Sequence, residues 1–241
     1  MTWLAQAPVF AVLIVLILGR QATAANWESA GRGIAATTFA LALAAIWLGA
    51  SLAIAAVAAL RSALPVGNRL AILTSFCPLA CAMLLAVVYW GNGLKGPWLA
   101  MWVVLAMTSL VGFFLGLAVA NPIRDTVLAT SVVLICFVAM IALGGWLRPL
   151  PEMIPPVQLV AEAMPSRWAF EGLLLLEATQ HPAPVTAVEM DAGPSKDMVE
   201  KYFPAATERM GVAADALALG SMLIGLAALV TFISGFSRPH P

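Results

Sequence analysis

The chain has 241 residues, 62% hydrophobic and 10% charged, with a mean hydropathy of +0.97. That composition excludes an ordinary soluble domain and points to a polytopic membrane protein. The formal net charge is zero, so no basic surface is available for nucleic acid.

A spanning helix needs about 20 apolar residues. In chain order the apolar runs are Trp3 to Gly19, Ala35 to Leu60, Leu70 to Trp90, Trp98 to Ala120, Thr126 to Trp146 and Ala216 to Phe236. They predict six spans. Ala22-Thr23-Ala24 has the look of a signal-peptidase site, but no Lys or Arg precedes the first run. A retained first span is therefore expected.

Between the fifth and last runs lies a Pro-bracketed polar hinge, Arg148 to Pro156, and then a second apolar stretch carrying Arg167 and Glu171. Hydrocarbon tolerates neither unpaired backbone nor unpaired charge. The segment around 154–176 is therefore predicted to enter the membrane, turn and leave by the same side. Arg167 and Glu171 stand at i,i+4 and neutralise one another, while Glu162 and Glu177 flank them and face an outer aqueous cavity. The fold class is all-α, with six spans plus this re-entrant hairpin.

An even span number puts both termini on one side. The long segment 147–213 is placed outside and the termini in the cytoplasm, with Arg61, Arg69, Arg124 and Arg238 on the cytoplasmic side. Arg20, Arg32 and Lys95 fall on the other side, so the positive-inside bias is slight. Within the outer segment, 178–213 reads as a small cap, with Asp191 to Ser195 a turn and Lys196 to Met210 a short polar helix.

Trp3, Trp27, Trp90, Trp98, Trp146 and Trp168 fall near predicted span or hairpin ends, as in an aromatic belt. Trp47 and Trp102 lie deeper and are expected to pack. Gly112 and Gly116 form a Gly-x-x-x-Gly pair, which fits close packing within the chain or a dimer face. Asp125 or Thr126 is expected to cap the fifth span, and Asp215 the last.

No catalytic constellation emerges. The spans hold no His or Lys, so Gly49-Ala50-Ser51 lacks the base a serine nucleophile needs. Cys77, Cys81 and Cys136 show no metal-ligand spacing and read as buried thiols.

The order of spans, the hinge and hairpin before the last span, and Met164-Pro165-Ser166-Arg167-Trp168-Ala169-Phe170-Glu171-Gly172-Leu173 resemble the membrane domain of ABC-2 type transporters, most closely the ABCG-like branch. Leu4-Ala5-Gln6-Ala7-Pro8, Ile46 to Ser51 and Lys201-Tyr202-Phe203-Pro204 add to the likeness. The resemblance implies a single transmembrane domain over 1–241, with 147–213 an extracytoplasmic hairpin and cap. It implies a permease in the bacterial inner membrane that moves a lipid, glycan or amphipathic substrate. Two such subunits, identical or different, would face each other and move substrate between their second and fifth spans, powered by an ATPase.

Two departures bear on that function. The chain has no Gly-x-x-x-x-Gly-Lys-Ser/Thr loop, so ATP belongs to a separate polypeptide and no cofactor or metal is expected here. No counterpart is expected to the amphipathic helix that precedes the family's first span. In addition, Leu52 to Leu64 holds only Arg61 where the family has a strongly charged helix that docks on the ATPase. Arg61, Arg69 and Arg124 are the candidate cytoplasmic partner contacts. Two readings stay open: a divergent but working coupling helix, or a transport-inactive permease fold serving as a structural or accessory subunit of a larger membrane complex.

Overall fold

The computed structural model describes residues 6–18, 27–60, 67–123, 125–181, 199–204 and 209–236. Among them are eight α-helices and no strand: α1 (Gln6–Leu18), α2 (Trp27–Leu60), α3 (Gly67–Asn92), α4 (Trp98–Ala120), α5 (Thr126–Leu143), α6 (Pro155–Glu162), α7 (Pro165–Ala178) and α8 (Val212–Phe236). Five stretches are long and apolar enough to cross a membrane: Gly31–Ala58, Thr74–Asn92, Trp98–Ala120, Thr126–Leu143 and Val212–Ile233. The chain is a multi-pass membrane protein. Helix α1 covers 13 described residues, about 20 Å at 1.5 Å per residue.

Helix α2 is longer than the apolar run predicts. It starts at Trp27, taking in the exposed Arg32, and continues unbroken to Leu60. Within it, Ala53, Ile54, Ala56 and Val57 are buried. Ala53, Ile54 and Val57 join a core with Phe113, Leu117 and Ala120 of α4 and Ala129 and Val133 of α5. Where the resemblance calls for a charged docking helix, this chain has more of the packed bundle.

Helices α2 and α4 form the centre, and glycine sets their separation. A Cβ on Gly49 would collide with the Ser109 carbonyl, and one on Gly112 with the Ile46 carbonyl. One on Gly116 would lie 2.7 Å from the Ala50 oxygen. The Gly112/Gly116 pair therefore serves packing within the chain. Where lipid surrounds the helices, such close approach is what holds them together.

Other elements follow from local chemistry. Asp125 caps α5, its carboxylate accepting the Val127 N–H at 2.8 Å. Helix α5 stops at Leu143, short of the predicted Trp146, because Gly144 and Gly145 follow and Gly145 takes φ +89°. Pro78 lies inside α3 and its carbonyl accepts the Trp102 indole N–H at 2.9 Å. Trp47 makes an edge contact with Phe137. Residues 199–204, predicted as part of a helix, instead form turns. The N–H groups of Tyr202 and Phe203 bond back to the Val199 carbonyl, and both rings bury against Phe170. The predicted turn at 191–195 lies outside the described residues.

One end of the bundle gathers the hinges. Phe39 in the first half of α2 stacks on Trp146 after α5 and meets Phe170 of α7 edge-on. The loop between α3 and α4 meets the end of α7 through Glu177. At the other end, Val230 of α8 packs with Ala50, Leu117 and Val133, and Gln6 of α1 accepts the Ser51 hydroxyl.

Candidate functional site

The site is built on a broken helix pair. Pro155 and Pro156 open α6, whose missing N–H groups fall where a helix has no partners for them anyway. Eight residues later α6 ends, and Pro165 opens α7. The break is tied down from both sides. The Trp168 indole donates to the Glu162 carbonyl at 2.7 Å, and the Ser166 hydroxyl donates to the Met140 carbonyl of α5 at 2.9 Å. These bonds satisfy carbonyls that a chain break would otherwise orphan in an apolar setting. Trp168, predicted at the membrane boundary, is 9% exposed; this bond draws it inward.

Beyond the break, α7 carries a fully enclosed charge cluster. Arg167 is 3% exposed and Glu171 and Asp215 are 0% exposed. Arg167 Nη2 lies 3.6 Å from Glu171 Oε2. The guanidinium carbon sits 3.9 Å above the Trp168 ring, a cation–π contact that lets a cation stay buried. Glu171 Oε1 accepts the Met210 N–H at 2.9 Å, which anchors the segment entering α8. Asp215, in the first turn of α8, packs on Gly172: a Cβ there would lie 3.4 Å from Asp215 Oδ2.

The expected capping role of Asp215 does not hold. Neither of its carboxylate oxygens accepts a hydrogen bond among the described residues. The capping geometry fails because Asp215 is the fourth residue of α8 rather than the one before it. Its side chain turns instead toward α7. The arrangement therefore sets one guanidinium against two carboxylates and clamps α7 to α8. It positions no nucleophile: the nearby Ser166 hydroxyl is engaged by a carbonyl. Among the described residues, no group of three His, Cys, Asp or Glu could hold a metal.

Glu177 corrects a second expectation. It is 0% exposed and does not face an aqueous cavity. Its two oxygens accept the N–H groups of Lys95 and Gly96, each at 2.7 Å, and His181 Nε2 lies 2.9 Å from Oε1. Tyr89 donates its hydroxyl to the Gly96 carbonyl at 2.9 Å, completing the lock. Glu177→Ala leaves two amides without their acceptor and is expected to cost about 2–3 kcal/mol. Glu177→Gln keeps an acceptor and should cost less. Thermal unfolding in detergent checks the order; equal melting points for the two variants would contradict it.

The predicted site residues separate into two groups. Arg167 and Glu171 come together inside the bundle, while Glu162 ends α6 with its side chain exposed. Arg61 and Arg124 lie outside the described residues, as does the side chain of Arg69. Asp215 and the Met210 amide are the partners that sequence reasoning did not bring to the cluster. An acid so early in an otherwise apolar span is the one signal for Asp215. Near the same end, burial among aromatic rings raises the Tyr202 phenol above its ordinary pKa, with Arg32 acting in the opposite direction.

Residues 71–178 match the family model described as ABC-2 type transporter. The match runs from α3 to the last residue of α7 and so includes the broken pair and the Arg167/Glu171 ion pair. No curated protein matches the chain. Over residues 71–178, this multi-pass membrane protein is thus similar to the membrane domain of ABC-2 type transporters.

Proposed function

We propose that the chain is one permease subunit of an ABC-2 type transporter of the ABCG-like branch. It pairs with a second permease subunit and draws on a separate ATPase to move a lipid, glycan or amphipathic substrate across a bacterial inner membrane. The observation that carries this reading is the family match over α3–α7, whose end coincides with the broken helix pair. The whole of 1–241 then forms one transmembrane domain, with 147–213 on the outer side.

The arrangement of α1 supports six spans. Its Gln6 reaches Ser51, and Val15 abuts Gly91 near the opposite end of the bundle. A re-entrant 155–178 is supported by the grouping of both its flanks at the end of the bundle that holds the α3–α4 loop. Thiols placed at Val157, Thr179 and Ser195 should all react with an impermeant reagent on intact cells. Reaction of Val157 and Thr179 from opposite sides would turn the segment into a seventh span.

A second reading is favoured by one observation, the burial of Ala53, Ile54, Ala56 and Val57 in the bundle. Such a helix offers an ATPase little charge, as expected of a structural subunit of a larger membrane complex. Arg61→Glu separates the two. In a working permease it lowers the turnover of the co-purifying ATPase by about tenfold or more, within the usual range of coupling energies. In a scaffold it leaves that turnover unchanged.

A further inference from the structure

A cavity of about 470 Å³ lies between α4, α5 and α8, closed at one end by the α6–α7 break. Val111 and Leu115 of α4 form its floor. Cys136 and Met140 stand on one wall, and Gly225 and Leu229 on the other. It differs from the charge cluster in every chemical respect: none of its lining side chains carries a charge, an amide or a hydroxyl. Helices α5 and α8 both pack on α4 and barely touch each other, so the cavity is a slot between them. Gly225 and Leu229 are exposed at its mouth, and a Cβ on Gly225 would meet nothing within 4 Å.

Depth decides what fills the slot. Cys136 is ten residues into α5 and Gly225 thirteen into α8, about 15 and 20 Å along helices that cross a hydrocarbon core of about 30 Å. The slot therefore opens at mid-membrane. Its volume would hold on the order of fifteen waters at about 30 Å³ each, but water needs two to four polar partners. The lining side chains offer only the weak hydrogen-bonding sulfurs of Cys136 and the methionines.

We propose that this slot is a binding site for one acyl chain of a membrane phospholipid, entering sideways between α5 and α8 and ending against Met164 and Pro165. The bound chain supplies the contacts that α5 and α8 do not make with each other. Lipid tails are as apolar as the lining, so selection rests on fit rather than on a hydrophobic drive. The site does not depend on the transport reading, since a scaffold with this packing would hold the same chain.

The test uses the full chain, with whatever subunits co-purify, in vesicles of phosphatidylethanolamine and phosphatidylglycerol. A small fraction of the phosphatidylethanolamine carries a terminal diazirine on one acyl chain. After illumination, adducts should concentrate on residues 136–140 and 222–229, above those on Leu16 and Ile17, which are exposed on α1. Gly225→Phe fills the slot from one wall and Ala139→Phe from the other. Each should lower slot labelling by about tenfold, because few molecules keep a competent site, and leave α1 labelling unchanged. Equal labelling of slot and α1 in the parent chain would overturn the proposal. So would slot labelling that survives both substitutions. Slot labelling that falls as protein density in the vesicles rises would assign the slot to a second copy and overturn it as well.

Discussion

Arg167→Met is expected to destabilise the protein by about 3–5 kcal/mol, the range for removing one partner of a buried ion pair. The reason lies in what remains. Glu171 and Asp215 are both 0% exposed, and the substitution deletes the guanidinium that lies 3.6 Å from Glu171. The variant should accumulate poorly in membranes and melt well below the parent in detergent. Replacing Glu171 and Asp215 as well, by Met and Asn, should recover much of the loss, since apolar residues can substitute for a whole buried cluster. Arg167→Lys should fall between. It keeps the charge but loses the planar group lying 3.9 Å over Trp168. A single Arg167→Met variant as stable as the parent would contradict the clamp between α7 and α8.

Gly112→Val should be as damaging, by about 3 kcal/mol or more, at or beyond the upper end of ordinary overpacking costs. Its new side chain would run into the Ile46 carbonyl, and Gly49→Val into that of Ser109. Backbone cannot swing aside as a side chain does, so α2 and α4 must separate along their shared core. Gly225→Ala provides the control. With open space around its Cβ position, it should be neutral or slightly stabilising, because alanine favours helix over glycine by about 1 kcal/mol. The check is the amount of folded protein by size-exclusion chromatography for each variant. Equal recovery of Gly112→Val and Gly225→Ala would show that the α2–α4 approach does not matter.

Much of the membrane architecture is legible in residue order. All five long apolar stretches start within about four residues of where the sequence places them, because the runs are bounded by Pro, Gly or polar residues. Pro155 and Pro165 mark the starts of α6 and α7 directly, since proline is best accommodated in the first turn of a helix. Other features depend on neighbours that the sequence keeps far apart. Glu177 reads as an outward-facing acid until the α3–α4 loop brings two amides to it. Asp215 reads as a cap until Gly172 lets α8 close on α7. The polar run 199–204 contains a helical pattern, but burial of Tyr202 and Phe203 against Phe170 outweighs it. The extension of α2 to Leu60 is helical by composition, yet only the packed bundle shows Ala53, Ile54 and Val57 inside the core.

The central claim is that this membrane protein, similar over residues 71–178 to ABC-2 type transporters, works as a permease driven by another polypeptide. Solubilising native membranes in mild detergent and isolating the chain under equilibrium conditions tests it most directly. The account predicts a Walker-motif ATPase at one copy per permease chain, hydrolysing ATP in the isolated complex. Recovery with other membrane subunits and without any nucleotide-hydrolysing polypeptide would contradict it and leave the structural-subunit reading standing.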